Sequence, residues 1–114
     1  MGATFLDSRS TVVLTGDSVT DCGRRTSGHG LGNGYVRQLR TDLGGRAPRI
    51  VNSGISGNRA ADLVGRWQQD VLAHQPDLVS ILVGINDTWR RYDKDDPSSA
   101  ADYEASYRKL LGPV

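Results

Sequence analysis

At 114 residues the chain has the length of one domain, and its 37% hydrophobic and 24% charged residues are ordinary for a soluble globular protein. Fourteen Lys and Arg against thirteen Asp and Glu give a formal net charge of +1, which provides neither the basic field that nucleic acid requires nor one suited to a membrane surface. The lone cysteine, Cys22, excludes an internal disulfide and suits a reducing compartment.

Met1 to Ser10 lacks the basic start and long apolar core of a signal peptide, and no apolar run reaches membrane-spanning length. The expected address is cytoplasmic. "TVVLTG" (Thr11 to Gly16) is a β-branched run closed by glycine and reads as a buried strand. "YVRQLRTDL" carries apolar residues at 35, 36, 39 and 43, which is helical spacing. Pro48 introduces a second strand, "RIVNSG". "RAADLVGRWQQDVLAH" follows as one long amphipathic helix with apolar positions at 60, 63, 64, 67, 71 and 72, and Trp67 on its core face. After Pro76, "DLVSILVGIN" is a third strand, apolar on both faces, and "WRRYDKDDP" reads as a solvated charged loop. Ser99-x-x-Asp102 then resembles a capping box ahead of a helix with apolar residues at 100, 103, 107, 110 and 111.

The order β-α-β-α-β-α predicts a parallel sheet with helices on both faces. Ligands of such sheets gather beyond the carboxyl ends of the strands. Three polar clusters fall at those ends: "GDSVTD", "NSGISGN" and "GIND". Ser18 in the first reads either as the polar cap of a helix or as a nucleophile. A nucleophile needs donors for a developing oxyanion, and the second cluster offers glycine N–H groups at Gly54 and Gly57, the third the carboxamide of Asn86.

In these three blocks the sequence resembles the GDSL-type esterases and lipases, the SGNH hydrolase family, over about Val12 to Leu111. The resemblance implies an α/β, three-layer flavodoxin-like fold with a parallel sheet, of which residues 1–114 form the N-terminal part of a single domain, with about three strands and three helices. It implies Ser18 as nucleophile, with its own N–H, the Gly57 N–H and the Asn86 side chain as oxyanion donors. Asp17 and Asp21 flank the serine and read as loop organisers; Asp17 is also a candidate for substrate contact. Trp89, just after "GIND", either lines the acyl or alcohol pocket or simply packs.

The family's fourth block, Asp-x-x-His, supplies the general base and its orienting carboxylate. It is absent: His29 is preceded at three residues by Thr26 and His74 by Val71. His74, at a helix end, reads as a surface residue, and His29, in "SGHGLGNG", as part of a loop near Ser18. The chain is therefore expected to be the front part of a larger hydrolase, its third strand an exposed apolar edge through which copies self-associate. The glycines of "GHGLGNG" begin too far past the first strand for a dinucleotide fingerprint. Asp17, Asp21 and Asp87 have no ligand-spaced partners, so neither metal nor cofactor is expected. Two functions follow: a serine ester hydrolase acting on small acyl esters such as acetylated carbohydrates, weak or inactive as 114 residues alone, or a non-catalytic module that keeps the oxyanion pocket.

Overall fold

A computed structural model describes residues 7–93, 95 and 98–112. Strands β1 (Thr11–Gly16) and β2 (Arg49–Gly54) coincide with the first two runs read from the sequence, and β3 (Leu78–Leu82) is the front half of the third, whose last two residues, Ile85 and Asn86, are helical instead. All pair in parallel, in the order β2-β1-β3. Gly16 lies opposite both Gly54 and Leu82, so the three strands end level with one another.

β1 has a neighbour on each side and is buried from Val12 to Gly16. Side chains alternate across a strand. Val12 and Leu14 pack with Val36 of helix α2 (Tyr35–Leu43), with Leu31, Tyr35 and Ile50 around them. On the other face Ile81 and Val83 meet Ala60 and Leu63 of α3 (Ala60–Asp70) and Leu110 of α5 (Ala100–Leu111), together with Trp67, Tyr103 and Tyr107. Trp67 is thus a core residue, as its helical position predicts. The layers are helix, sheet, helix.

The capping box at α5 forms as the sequence implies: Asp102 N–H donates to Ser99 Oγ (3.0 Å) and Ser99 N–H to Asp102 Oδ2 (3.3 Å). Three expectations need correction. The α3 helix ends at Asp70, four residues before His74; Val71 leaves helical geometry (φ −123°, ψ −65°), and Leu72–His74 form a separate short turn. "WRRYDKDDP" is not all loop, because α4 runs from Ile85 to Asp93; Lys94, Asp96 and Pro97 lie outside the described residues. Helices therefore exceed the three expected, since a single turn, α1 (Ser18–Asp21), also follows β1.

β3 is less buried than its composition suggests. Leu78 and Leu82 are 47% and 48% exposed, and no described strand pairs with its outer side. No helix among the described residues is long and apolar enough to cross a membrane.

Candidate active site

β1 stops at Gly16, and Asp17 immediately turns inward to 2% exposure. Its carboxylate accepts the N–H of Val19 (3.0 Å), and its carbonyl accepts those of Thr20 (3.2 Å) and Asp21 (2.9 Å). The capping role that a serine at this turn would ordinarily fill thus belongs to Asp17. Ser18 is the first residue of α1 and is exposed; neither its hydroxyl nor its N–H has a hydrogen-bond partner among the described residues. Asp17 organises the turn, in keeping with one of its two expected roles.

The second cluster is drawn tightly against the first. A Cβ on Gly54 would lie 2.5 Å from Asp21 N and 2.9 Å from Thr20 Cβ, so only glycine lets α1 sit on the end of β2. Asn52, 4% exposed, donates from Nδ2 to the carbonyls of Thr20 (2.7 Å) and Leu31 (2.8 Å) and accepts from Gly54 N–H (2.9 Å). Asp21 Oδ2 accepts both the N–H (3.0 Å) and the hydroxyl (3.2 Å) of Ser56. Burial acts to raise the pKa of Asp21. The bonds from Ser56 and from Arg24 N–H, with the Arg24 charge, outweigh it and hold the carboxyl below its ordinary value. Gly57 follows with φ +88°, and its N–H has no partner among the described residues.

Helix α4 brings the third cluster to this loop. Asn86, half-buried, donates from Nδ2 to Asn58 O (3.1 Å), which uses one of the two carboxamide protons and leaves the other. Asp87, 6% exposed, accepts Ala60 N–H (3.1 Å), and Arg90 Nη2 donates to Gly57 O (3.2 Å). Hydrogen bonds therefore tie the 55–58 loop to α1 at Ser56, through Asp21, and to α4 two residues on at Asn58, through Asn86. The three clusters converge at the carboxyl ends of the strands, and Ser18 N–H, Gly57 N–H and one Asn86 proton stand uncommitted among the described residues.

Two contributors were invisible in the sequence. Asn58 closes the cluster "NSGISGN" and Arg66 lies within the third helical run, but neither carries a role on sequence alone. The side chain of Arg66 is only 13% exposed, and it donates to Asn58, Ser53 and Gly16. Its i, i+4 relation to Asp70, with which it pairs at 3.2 Å, was the one legible signal.

Trp89 is 54% exposed, three residues past Asn86. His29 is exposed in a left-handed turn (φ +54°), and His74 is half-buried beyond the end of α3; neither side chain bonds to Ser18 among the described residues. Among those residues no group of three or more His, Cys, Asp or Glu could hold a metal ion.

The model of the GDSL-like lipase/acylhydrolase family matches residues 14–112. The chain belongs to that family. It is 44% identical over 119 residues to the acetylxylan esterase of Geobacillus stearothermophilus, an alignment covering 93% of this chain and 54% of that protein. The crystal structure of the Geobacillus enzyme Axe2, an acetylxylan esterase, superposes with a TM-score of 0.85 at 40% identity, over 95% of this chain and 55% of that one. A putative GDSL-like lipase from Parabacteroides merdae does so with a TM-score of 0.84 at 39% identity, over 93% and 53%. The chain spans about half the length of these relatives, and within that span its fold is that of the SGNH hydrolases.

Proposed function

We propose that the protein is a serine-dependent carboxylic ester hydrolase that removes small acyl groups, acetyl from carbohydrate hydroxyls foremost. The observation that carries this reading is the stitching of the three clusters. An open serine hydroxyl and three donors uncommitted among the described residues lie in the loops at one end of the sheet, and a 44% identical relative is an acetylxylan esterase. In this reading Ser18 Oγ attacks the acyl carbon while its proton passes to a base. The oxyanion accepts N–H groups from Ser18, Gly57 and Asn86. The tetrahedral species then collapses, the departing sugar oxygen takes the proton, and an acyl-serine remains for water to hydrolyse by the same route. The proton acceptor is the histidine of an Asp-x-x-His block, which residues 1–114 do not contain.

Release of acetate from acetylated xylo-oligosaccharides tests this, with the 114-residue protein alone and mixed with the C-terminal half of the Geobacillus esterase. Alone, the protein should keep only the residual acceleration of a site without its base, about 10³–10⁴ over water. The mixture should turn over, and Ser18→Ala should abolish that turnover. Hydrolysis by the mixture that survives Ser18→Ala overturns the proposal. A second reading rests on the two histidines, neither of which is bonded to Ser18: a binding module that keeps the pocket without chemistry. It predicts retention of the acetylated oligosaccharide with no acetate released in either arm.

A further inference from the structure

The Arg66 side chain reaches the ends of β1 and β2 and the loop beyond them. Its Nη2 donates to Gly16 O (3.1 Å), the last carbonyl of β1, and its Nη1 to Ser53 O (2.7 Å) and Ser53 Oγ (3.1 Å) in β2. Its Nε donates to Asn58 Oδ1 (2.8 Å). Asp70 Oδ2, at 3.2 Å from Nη1, balances the charge. All three nitrogens are engaged in different directions, which suits the rigid planar fork of arginine and not the single ammonium of lysine. Burial lowers the pKa of Arg66 and Asp70 acts to raise it again, but the group stays charged at neutral pH.

We infer that Arg66 is a positioning residue that sets the aim of the Asn86 carboxamide through Asn58. The guanidinium fixes the side chain of Asn58, whose carbonyl accepts one Asn86 proton (3.1 Å). With that proton held, the direction of the second is determined. The same guanidinium holds Gly16 O, one residue before Asp17 and two before Ser18, so one group references the serine turn and the carboxamide to a common point. Arg66 itself bonds neither Ser18 nor Asn86; it reaches Asn86 through Asn58 and the serine turn through Gly16. This rests on the esterase reading only for its catalytic consequence; the geometric claim stands or falls without turnover.

The side-chain ¹⁵N–¹H₂ signals of the 114-residue protein, recorded by transverse-relaxation-optimised NMR and assigned by loss of the pair in Asn86→Ala, test that claim. In the native protein the two Asn86 protons should be well separated and the bonded one slow to exchange. Arg66→Ala should draw them toward the shifts of a free carboxamide and speed that exchange by at least about tenfold. Arg66→Lys should not restore them. Ser99→Ala, which weakens the distant cap of α5, should leave them unchanged and so separates positioning from general loss of stability. Asn58→Ala keeps the Asn58 carbonyl and removes only the acceptor of Nε, and it should shift the same pair even if Arg66→Ala fails to fold. An Asn86 pair unaltered in Asn58→Ala, or in a folded Arg66→Ala, overturns the inference. With the base-bearing segment added, Arg66→Lys should lower kcat by about 10–10² with KM little changed, because a misaimed donor is lost to the transition state and not to the bound ester. If the pair shifts and no acetate is released by any form, the esterase reading fails and the positioning role remains.

Discussion

The Asn86 carboxamide divides its two protons between a bond within the fold and a proposed catalytic role. One proton is spent on Asn58 O at 3.1 Å; the other is the proposed oxyanion donor. Asn86→Ala should therefore lower kcat by about 10²–10³ in acetate-release assays with the base supplied, the usual effect of deleting one such donor. Asn58→Ala should cost less, since Asn58 O remains. Asp21 gives the site a pH limit of a different kind. Its pKa is depressed below the ordinary 3.8 by bonds that need the charged form, chiefly from Ser56 and Arg24. A depressed carboxyl contributes stability that is present above 3.8 and is lost as pH falls through its lower, folded-state value. Thermal unfolding followed by circular dichroism should show a midpoint falling below pH 4, and Asp21→Asn should flatten that fall. An acid slope identical in the two proteins would remove Asp21 from this role.

At the scale of elements, much was legible because sequence and structure use the same punctuation. The bounds of β1, α2 and β2 follow from Gly16, Gly44 and Pro48, where the apolar period also breaks. Where the period continues past the true end, the reading overshoots. Val71 and Leu72 extend the stripe of α3, yet Val71 is buried from a non-helical backbone and not as part of the helix. α4 was hidden for the opposite reason: "TWRRYD" looks solvated, and what ties this helix down is its grip on distant backbone, Asn86 on Asn58, Asp87 on Ala60 and Arg90 on Gly57. The site residues were readable by type, but Arg66 bonds to Gly16 across fifty positions, and no local pattern encodes that. α5 is where local chemistry and fold agree most fully. Ser99 is exposed and its hydroxyl caps Asp102 N–H, so Ser99→Ala should lower stability by about 0.5–2 kcal/mol in urea titration. A loss below that range would mean the helix is held by Leu110 and Tyr103 against the sheet with little help from its cap.

Across the whole molecule the two faces of the sheet are unequally covered. α3 and α5 close one face over β3, with Leu63 and Leu110 buried against Ile81 and Val83. On the other face α2 lies over β1 and β2, while Leu78 and Leu82, which share that face with their partners Val12 and Gly16, stay about half exposed. A cavity of about 380 Å³ lined by Val12, Leu39, Leu43, Pro48, Ile50 and Leu78 opens beside them. Exposed apolar surface next to a parallel edge with no strand partner among the described residues favours pairing with any similar surface, since the edge carbonyls and N–H groups gain partners and the leucines leave water together. The 114-residue protein is therefore expected to self-associate reversibly and to bind a hydrophobic dye, with the scattered mass rising between micromolar and tens of micromolar protein. Leu78→Lys with Leu82→Glu places opposite charges on the open face, where they are solvated in the monomer and must be desolvated on association. The double variant should stay monomeric by light scattering and lose most of the dye signal, while retaining the helical circular dichroism of the parent. A parent chain that is already monodisperse across that range, with a sharp unfolding transition and no dye binding, would show that this face is closed by something other than a second copy.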